Sequence, residues 1–252
     1  MCIRDSMSTD NTLTSSSERQ PDHIKPSEYG PDWQLWSGLS DYSEAVRQMQ
    51  QIHNEVQQNS LPEQLLLLEH PPVYTEGTSA RETDLTGHPD VSIVRKTGRG
   101  GQWTYHGPGI RIVWPVLNLN NRRRDVRLYV HSLEAWVIDT LSHFGVQGQR
   151  REGLPGIWVS RSDIGLPDRR DKIAAIGVRL SRWVSQHGFA INIDPDLNHF
   201  AGIVPCGVTD GGVTSLADLG LIVSQTELDM ALQSCFEAHF GPQAPMGVTS
   251  AQ

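Results

Sequence analysis

"DKIAAIGVRL" (residues 171–180), followed closely by "GFAINI" (188–193), decides the fold. Both runs are rich in small and branched apolar residues and carry no helical period, and the link between them is short, so they read as strands close enough for antiparallel pairing. Working outward, "GIWVS" (156–160) reads as another strand, "QLLLLEH" (64–70) as a buried strand stopped by Pro71-Pro72, and "SIVRK" (92–96) as one more. "IRIVWPVLNL" (110–119) predicts a long buried strand in which Pro115 implies a bulge or an edge position. "QLWSGLS" (34–40) reads as a strand leading to a helix from near Asp41, whose apolar residues Tyr42, Ala45, Val46, Met49, Ile52 and Val56 recur at three and four. A second helix carries the stripe Leu133, Trp136, Val137, Leu141 and Phe144 with Gly145 as its cap, and "SQTE" (224–227) is a capping box opening a last helix. Strands outnumber helices, so the expected fold is α+β, a mixed β-sheet flanked by helices, with a small C-terminal subdomain after about Ala201.

The 252 residues carry a net charge of −8, 37% apolar and 20% charged residues, and no run long enough for a membrane span. That balance argues against a general nucleic-acid binder or a membrane protein. Three cysteines without C-x-x-C spacing, Cys2, Cys206 and Cys235, suggest neither a disulfide framework nor a zinc ribbon, and fit a reducing cytoplasm. Residues 1–28 are polar and Ser/Thr-rich and read as a disordered tail without an apolar secretory core, Met7 being a second candidate start; 29–241 are expected to form the folded domain and 242–252 a C-terminal tail.

Three stretches carry chemistry. "GRGGQWTYHGPG" (98–109) concentrates glycines, Arg99 and His106 between predicted strands, so its backbone can approach a ligand closely, yet it matches neither a P-loop nor a dinucleotide fingerprint. Lys172 heads an apolar strand, where a desolvated lysine becomes a usable acid or base, although a snorkelling strand-end lysine fits the same pattern. "IVPCGVTDGGVTSL" (203–216) sets Cys206 between Pro205 and Gly207 in a sharp turn, whereas Cys235 lies on the last helix and is explained by packing. A thiol reacts as its thiolate, so Cys206 needs a partner, and Lys172, His106 and His187 are the candidates.

Taken together, "HPPVYTEG" (70–77), "RGGQWTYHGPG" (99–109), "GLPGIWV" (153–159), "KIAAIGVRLSR" (172–182), "HGFAINIDPD" (187–196), "IVPCG" (203–207) and "VTSL" (213–216) resemble, in order, the blocks of the lipoyl(octanoyl) transferases, the lipoate-protein ligase B family. The resemblance runs from about residue 65 to 220. It implies a fold like that of biotin and lipoate protein ligases, and transfer of an octanoyl group from octanoyl-acyl carrier protein to a lysine of lipoyl domains, those of 2-oxoacid dehydrogenase E2 subunits and the glycine cleavage H protein. It makes Cys206 the acyl-accepting nucleophile and Lys172 the residue that eases ionisation of the thiol and shuttles the proton. It assigns the chain-binding walls to Arg99, Gly100, Gly101, Gln102, Trp103, Thr104, Tyr105 and His106, to Ala175, Ile176 and Gly177, and to Gly188, Phe189 and Ala190, with His187 in support. No cofactor or metal is implied, and a monomer is expected. Ile110 stands where the family usually has glutamine.

Thioester exchange is near isoenergetic and needs no ATP, and backbone N–H groups of the Cys206 turn or of the 98–109 loop are candidate donors to an oxyanion. The rivals are an octanoyl relay amidotransferase acting between lipoyl domains, an ATP-dependent lipoate or biotin ligase, which needs no cysteine, and a non-catalytic module gripping the same partners. Both expected partners are acidic, so Arg95-Lys96, Arg99 and Arg122–Arg124 are candidate docking charges, with an ordinary solvated face as the plain alternative.

Overall fold

A computed structural model describes residues 30–204 and 211–241 of the chain. Both predicted tails and Cys206 lie outside the described residues. In chain order the elements are β1 (Asp32–Leu39), α1 (Tyr42–Gln57), β2 (Gln64–Glu69), β3 (Val73–Thr75), β4 (Ser92–Val94), β5 (Thr104–His106), β6 (Ile110–Val116), α2 (Val126–Ser142), β7 (Gln149–Arg151), β8 (Leu154–Arg161), β9 (Leu166–Ser181), β10 (Val184–Asn192) and α3 (Gln225–Phe240). Seven strands form one sheet in the order β1-β2-β6-β10-β9-β8-β7, and β4-β3-β5 form a small second sheet. The β1–β2 pair is parallel and its neighbours antiparallel, so the large sheet is mixed, as expected.

The leucine run of β2 is buried throughout because the sheet is covered on both faces. Leu65 and Leu67 face α2 and α3, while Leu66 and Leu68 face α1 and the small sheet, as period two requires. Each contributes on the order of 1.5–3 kcal/mol by leaving water. Asp41 caps α1 by accepting from Glu44 N at 2.9 Å, and Tyr42, Ala45, Met49 and Val56 turn inward from this helix. On the opposite layer α2 ends at Ser142 with His143 as its cap, and Gly145 just beyond, at a φ of 75°, lets Val146 N return to Leu141 O at 3.1 Å. The predicted capping box of α3 is present, Ser224 and Glu227 each satisfying the other's backbone. The C-terminal segment encloses no core of its own among the described residues: Leu216, Leu228, Leu232, Phe236 and Phe240 pack with Trp33, Trp136 and Phe189 of the main body.

Pro115 is not at an edge, since β6 lies between β2 and β10. Nor is there a bulge: the ladder is interrupted without a change of register, four residues on each strand lying between its two parts. The β6–β10 ladder stops at the Val113–Phe189 pair and resumes at the Asn118–Val184 bridge, and His187 in the gap takes a φ of 57°. Ser185 Oγ bridges the break, donating to Pro115 O at 2.6 Å and accepting from Leu117 N at 2.9 Å, while His187 N donates to Met49 Sδ at 3.1 Å. Strand β9 begins five residues before the quoted "DKIAAIGVRL", because the polar stretch "LPDRR" (166–170) pairs with the end of β8 as an outlying hairpin arm.

Candidate active site

The pairing of β9 with β10 places small residues opposite one another, Ala175 with Ala190 and Gly177 with Gly188, with the bulkier pair Ile176–Phe189 between them. Over them lies the glycine-rich loop, whose Gly100 N donates to Val178 O at 3.0 Å. A Cβ on Gly177 would stand 2.9 Å from Gly100 O, and one on Gly188 2.1 Å from Val113 O, so the close approach is possible only with glycine at both. The space left between loop and strands is a cavity of about 400 Å³. All of residues 99–106, 175–177 and 188–190 line it, together with Lys172 and His187. The predicted binding stretches therefore converge on one cavity.

Arg99 holds the loop rather than facing a partner. Its guanidinium donates to Thr75 O at 2.6 Å, Thr75 Oγ1 at 2.9 Å and Gly100 O at 3.0 Å, and the residue is only 6% exposed. Arg122 is likewise buried, on Glu63. Neither is a docking charge, which corrects the expectation for both; a run of basic residues gives no sign of partners far away in sequence. Arg95 pairs with Glu82 on the surface, and Arg123 and Arg124 are exposed. Gly100 N is likewise committed to Val178 O and is not an oxyanion donor here.

Lys172 lies at one end of the cavity with 6% of its surface exposed. Its Nζ donates to Pro155 O at 2.9 Å and stands 4.7 Å from the centre of the Trp158 ring, so the ammonium is held by a carbonyl and an aromatic face. Gly156, at a φ of 119°, lets that carbonyl come close: a Cβ there would meet Lys172 Cε at 3.2 Å and Ala174 O at 2.5 Å. Backbone bonds from Lys172 N to Gly212 O at 2.9 Å and from Thr214 N to Lys172 O at 3.0 Å tie the strand to the segment that follows Cys206 in sequence.

The far end, six residues along β9 and so roughly 20 Å away at the usual strand rise, is built of aromatic and imidazole rings. Tyr42, His106, Trp114 and His187 line it, with His70 packed behind against Tyr42, His106 and Trp114. Burial pushes His70 down to about 4 and His187 down to about 3, Arg99 adding to the latter, and burial holds His106 well below the usual imidazole range. All three are neutral at physiological pH. Tyr105, also on the lining, is pushed up to about 12 by burial.

Sequence reasoning missed several cavity walls. Tyr42 and Trp114 read as core because apolar lining and apolar core have the same pattern, and Pro155 and Val213 gave no signal beyond lying in quoted blocks. Ile110, where the resemblance implied a glutamine, is fully buried opposite Asn192 and packs in the α1-side core. No helix among the described residues is long and apolar enough to cross a membrane.

Residues 41–237 match the family model described as the lipoyl protein ligase A/B catalytic domain. An octanoyltransferase of Dinoroseobacter shibae is 53% identical over 215 residues, covering 84% of this chain and 97% of the relative. One of Rhodopseudomonas palustris is 54% identical over 212 residues, covering 83% of this chain and 89% of the relative. Among solved structures, the bi-partite lipoate protein ligase of Thermoplasma acidophilum superposes with a TM-score of 0.63 at 15% identity, covering 88% of each chain, and a lipoate-protein ligase A bound with ATP gives 0.62 at 15% identity, covering 88% of this chain and 90% of that one. At that identity the two structures share the fold alone. The chain thus belongs to the lipoyl protein ligase A/B catalytic-domain family and stands within it among the octanoyltransferases.

Proposed function

We propose that this protein is an acyltransferase that moves an octanoyl group from octanoyl-acyl carrier protein to a lysine of lipoyl domains, by way of a thioester on Cys206. The observation that carries the reading is one cavity walled by the apolar small residues of β9 and β10, with the buried Lys172 Nζ at its end. Such walls suit an unbranched acyl chain, and they bring a proton-transfer group to where its carbonyl would lie. In the first step the Cys206 thiolate attacks the thioester carbonyl, the carrier's thiol leaves, and Lys172 relays the proton from Cys206 to that thiol. In the second, the acceptor lysine attacks as the neutral amine, the amide forms, Cys206 is released, and the proton again passes through Lys172. One thioester is exchanged for another before the amide is made, so no nucleotide is consumed.

Intact-protein mass spectrometry tests this directly. Mixing the chain with octanoyl-acyl carrier protein, without ATP, is expected to add one octanoyl group that moves on when a lipoyl domain is supplied. Cys206→Ala is expected to show neither step. Turnover retained in that variant, or a strict need for ATP, would replace the reading with a ligase.

A further inference from the structure

We propose that Arg161, Asp171 and Asp218 form a positioning clamp that sets the segment Gly211–Asp218 in register on Lys172. The inference rests on the reading of Lys172 as the proton-transfer group. β10 pairs with β9 only as far as Ala174, and beyond that point the freed edge of β9 is taken by residues 212–214 through a parallel bridge between Lys172 and Val213. Two backbone bonds are a short ladder, and a ladder this short specifies register weakly.

The side chains around it supply the register. Asp171 has no exposed surface; its Oδ1 accepts from Gly212 N at 2.7 Å and Arg169 Nε at 2.8 Å, and its Oδ2 from Arg161 Nη1 at 3.0 Å. The same Arg161 Nη1 reaches Asp218 Oδ2 at 2.8 Å, and that oxygen also accepts from Thr214 Oγ1 at 2.7 Å. One guanidinium therefore pins both ends of the segment, and Asn192 Nδ2 holds its middle at Thr214 O, 2.8 Å away. The chain passes so close that a Cβ on Gly211 would lie 2.4 Å from Arg170 O, and one on Gly212 3.1 Å from Asp171 Oδ1, which gives the Gly-Gly pair its purpose. Asp171 and Lys172 are consecutive on a strand, so they point to opposite faces: Lys172 lines the cavity and Asp171 does not. Asp171 is thus a positioning residue. Burying such charges adds little net stability, whereas their directional bonds select one geometry.

The test is Asp171→Asn, with Asp218→Asn as the second variant, read by residue-resolved amide hydrogen exchange and by octanoyl-transfer kinetics. Loss of bonds to a charged partner is expected to cut protection of the Gly212 and Thr214 amides by about tenfold or more, with α1 and β2 unchanged. The kcat is expected to fall with KM for the carrier protein unmoved. Wild-type protection at both amides in Asp171→Asn, or a loss shared evenly with α1 and β2, would overturn the clamp. Exchange needs no turnover, so a wild-type protein that fails to transfer octanoyl would defeat the functional reading and leave this outcome legible on its own.

Discussion

The two ends of the cavity are both reached along β9 and treat polar groups in opposite ways. At the Lys172 end charge is kept and answered: Arg161 and Arg169 meet Asp171, Arg161 also meets Asp163 and Asp218, and the lysine meets a carbonyl and an indole. At the far end the three imidazoles are driven neutral by burial among Tyr42 and Trp114, and the Arg99 guanidinium beside them is committed to Thr75 and Gly100 O. The difference teaches where each kind of work is done. On the proposed function, proton transfer needs a group whose charge can change beside fixed partners, whereas an apolar chain needs walls whose charge is absent or tied down.

The largest expected effect breaks the far end with acid. His70 and His187 bind a proton near 6.5 when unfolded but near 4 and 3 when folded, so stability is unaffected above about 6.5 and falls as pH drops below it. By pH 4 each contributes a loss of about 3 kcal/mol, measurable by urea unfolding, and His70→Gln is expected to remove its share of the slope. An unfolding free energy flat between pH 6.5 and 4 would end the contrast. Next, Lys172→Ala is expected to slow octanoyl transfer about 10²–10⁴-fold in single-turnover assays with the fold intact. Transfer at the wild-type rate would reduce that end to scaffolding. A smaller effect is expected from Gly188→Ala, whose methyl meets Val113 O: a loss of about 1–3 kcal/mol in thermal or urea unfolding. Smallest is charge reversal at Arg124, exposed just before α2, whose Val130 reaches the cavity. Arg124→Glu is expected to raise KM for the acidic carrier protein a few-fold at low salt and not at high salt, and an effect indifferent to salt would remove Arg124 from docking.

How much of this was legible varied with the physical signal. α1, α2 and the core of β9 and β10 announced themselves through periodicity and caps, because their burial is set by neighbours one turn or one strand away. The three-residue strands β3, β5 and β7 are too short to show a period, and the first half of β9 is polar because it stands clear of the core. For the site, the irregular Gly-bearing stretches are the ones that line one cavity. Arg99 was misread as a docking charge because its anchor, Thr75, is 24 residues away, a pairing that only the fold creates.

The break in the ladder at Pro115 has a consequence for substitution. Exchanging methionine for leucine in a core conserves volume and is ordinarily mild. At Met49 the thioether is also the acceptor for the His187 amide, whose opposite neighbour on β6 is a proline and whose backbone is already turned into left-handed space. Leucine would fill the same volume and leave that buried N–H with nothing to bond. A change counted as conservative would thus be felt 138 residues away, at a wall of the cavity.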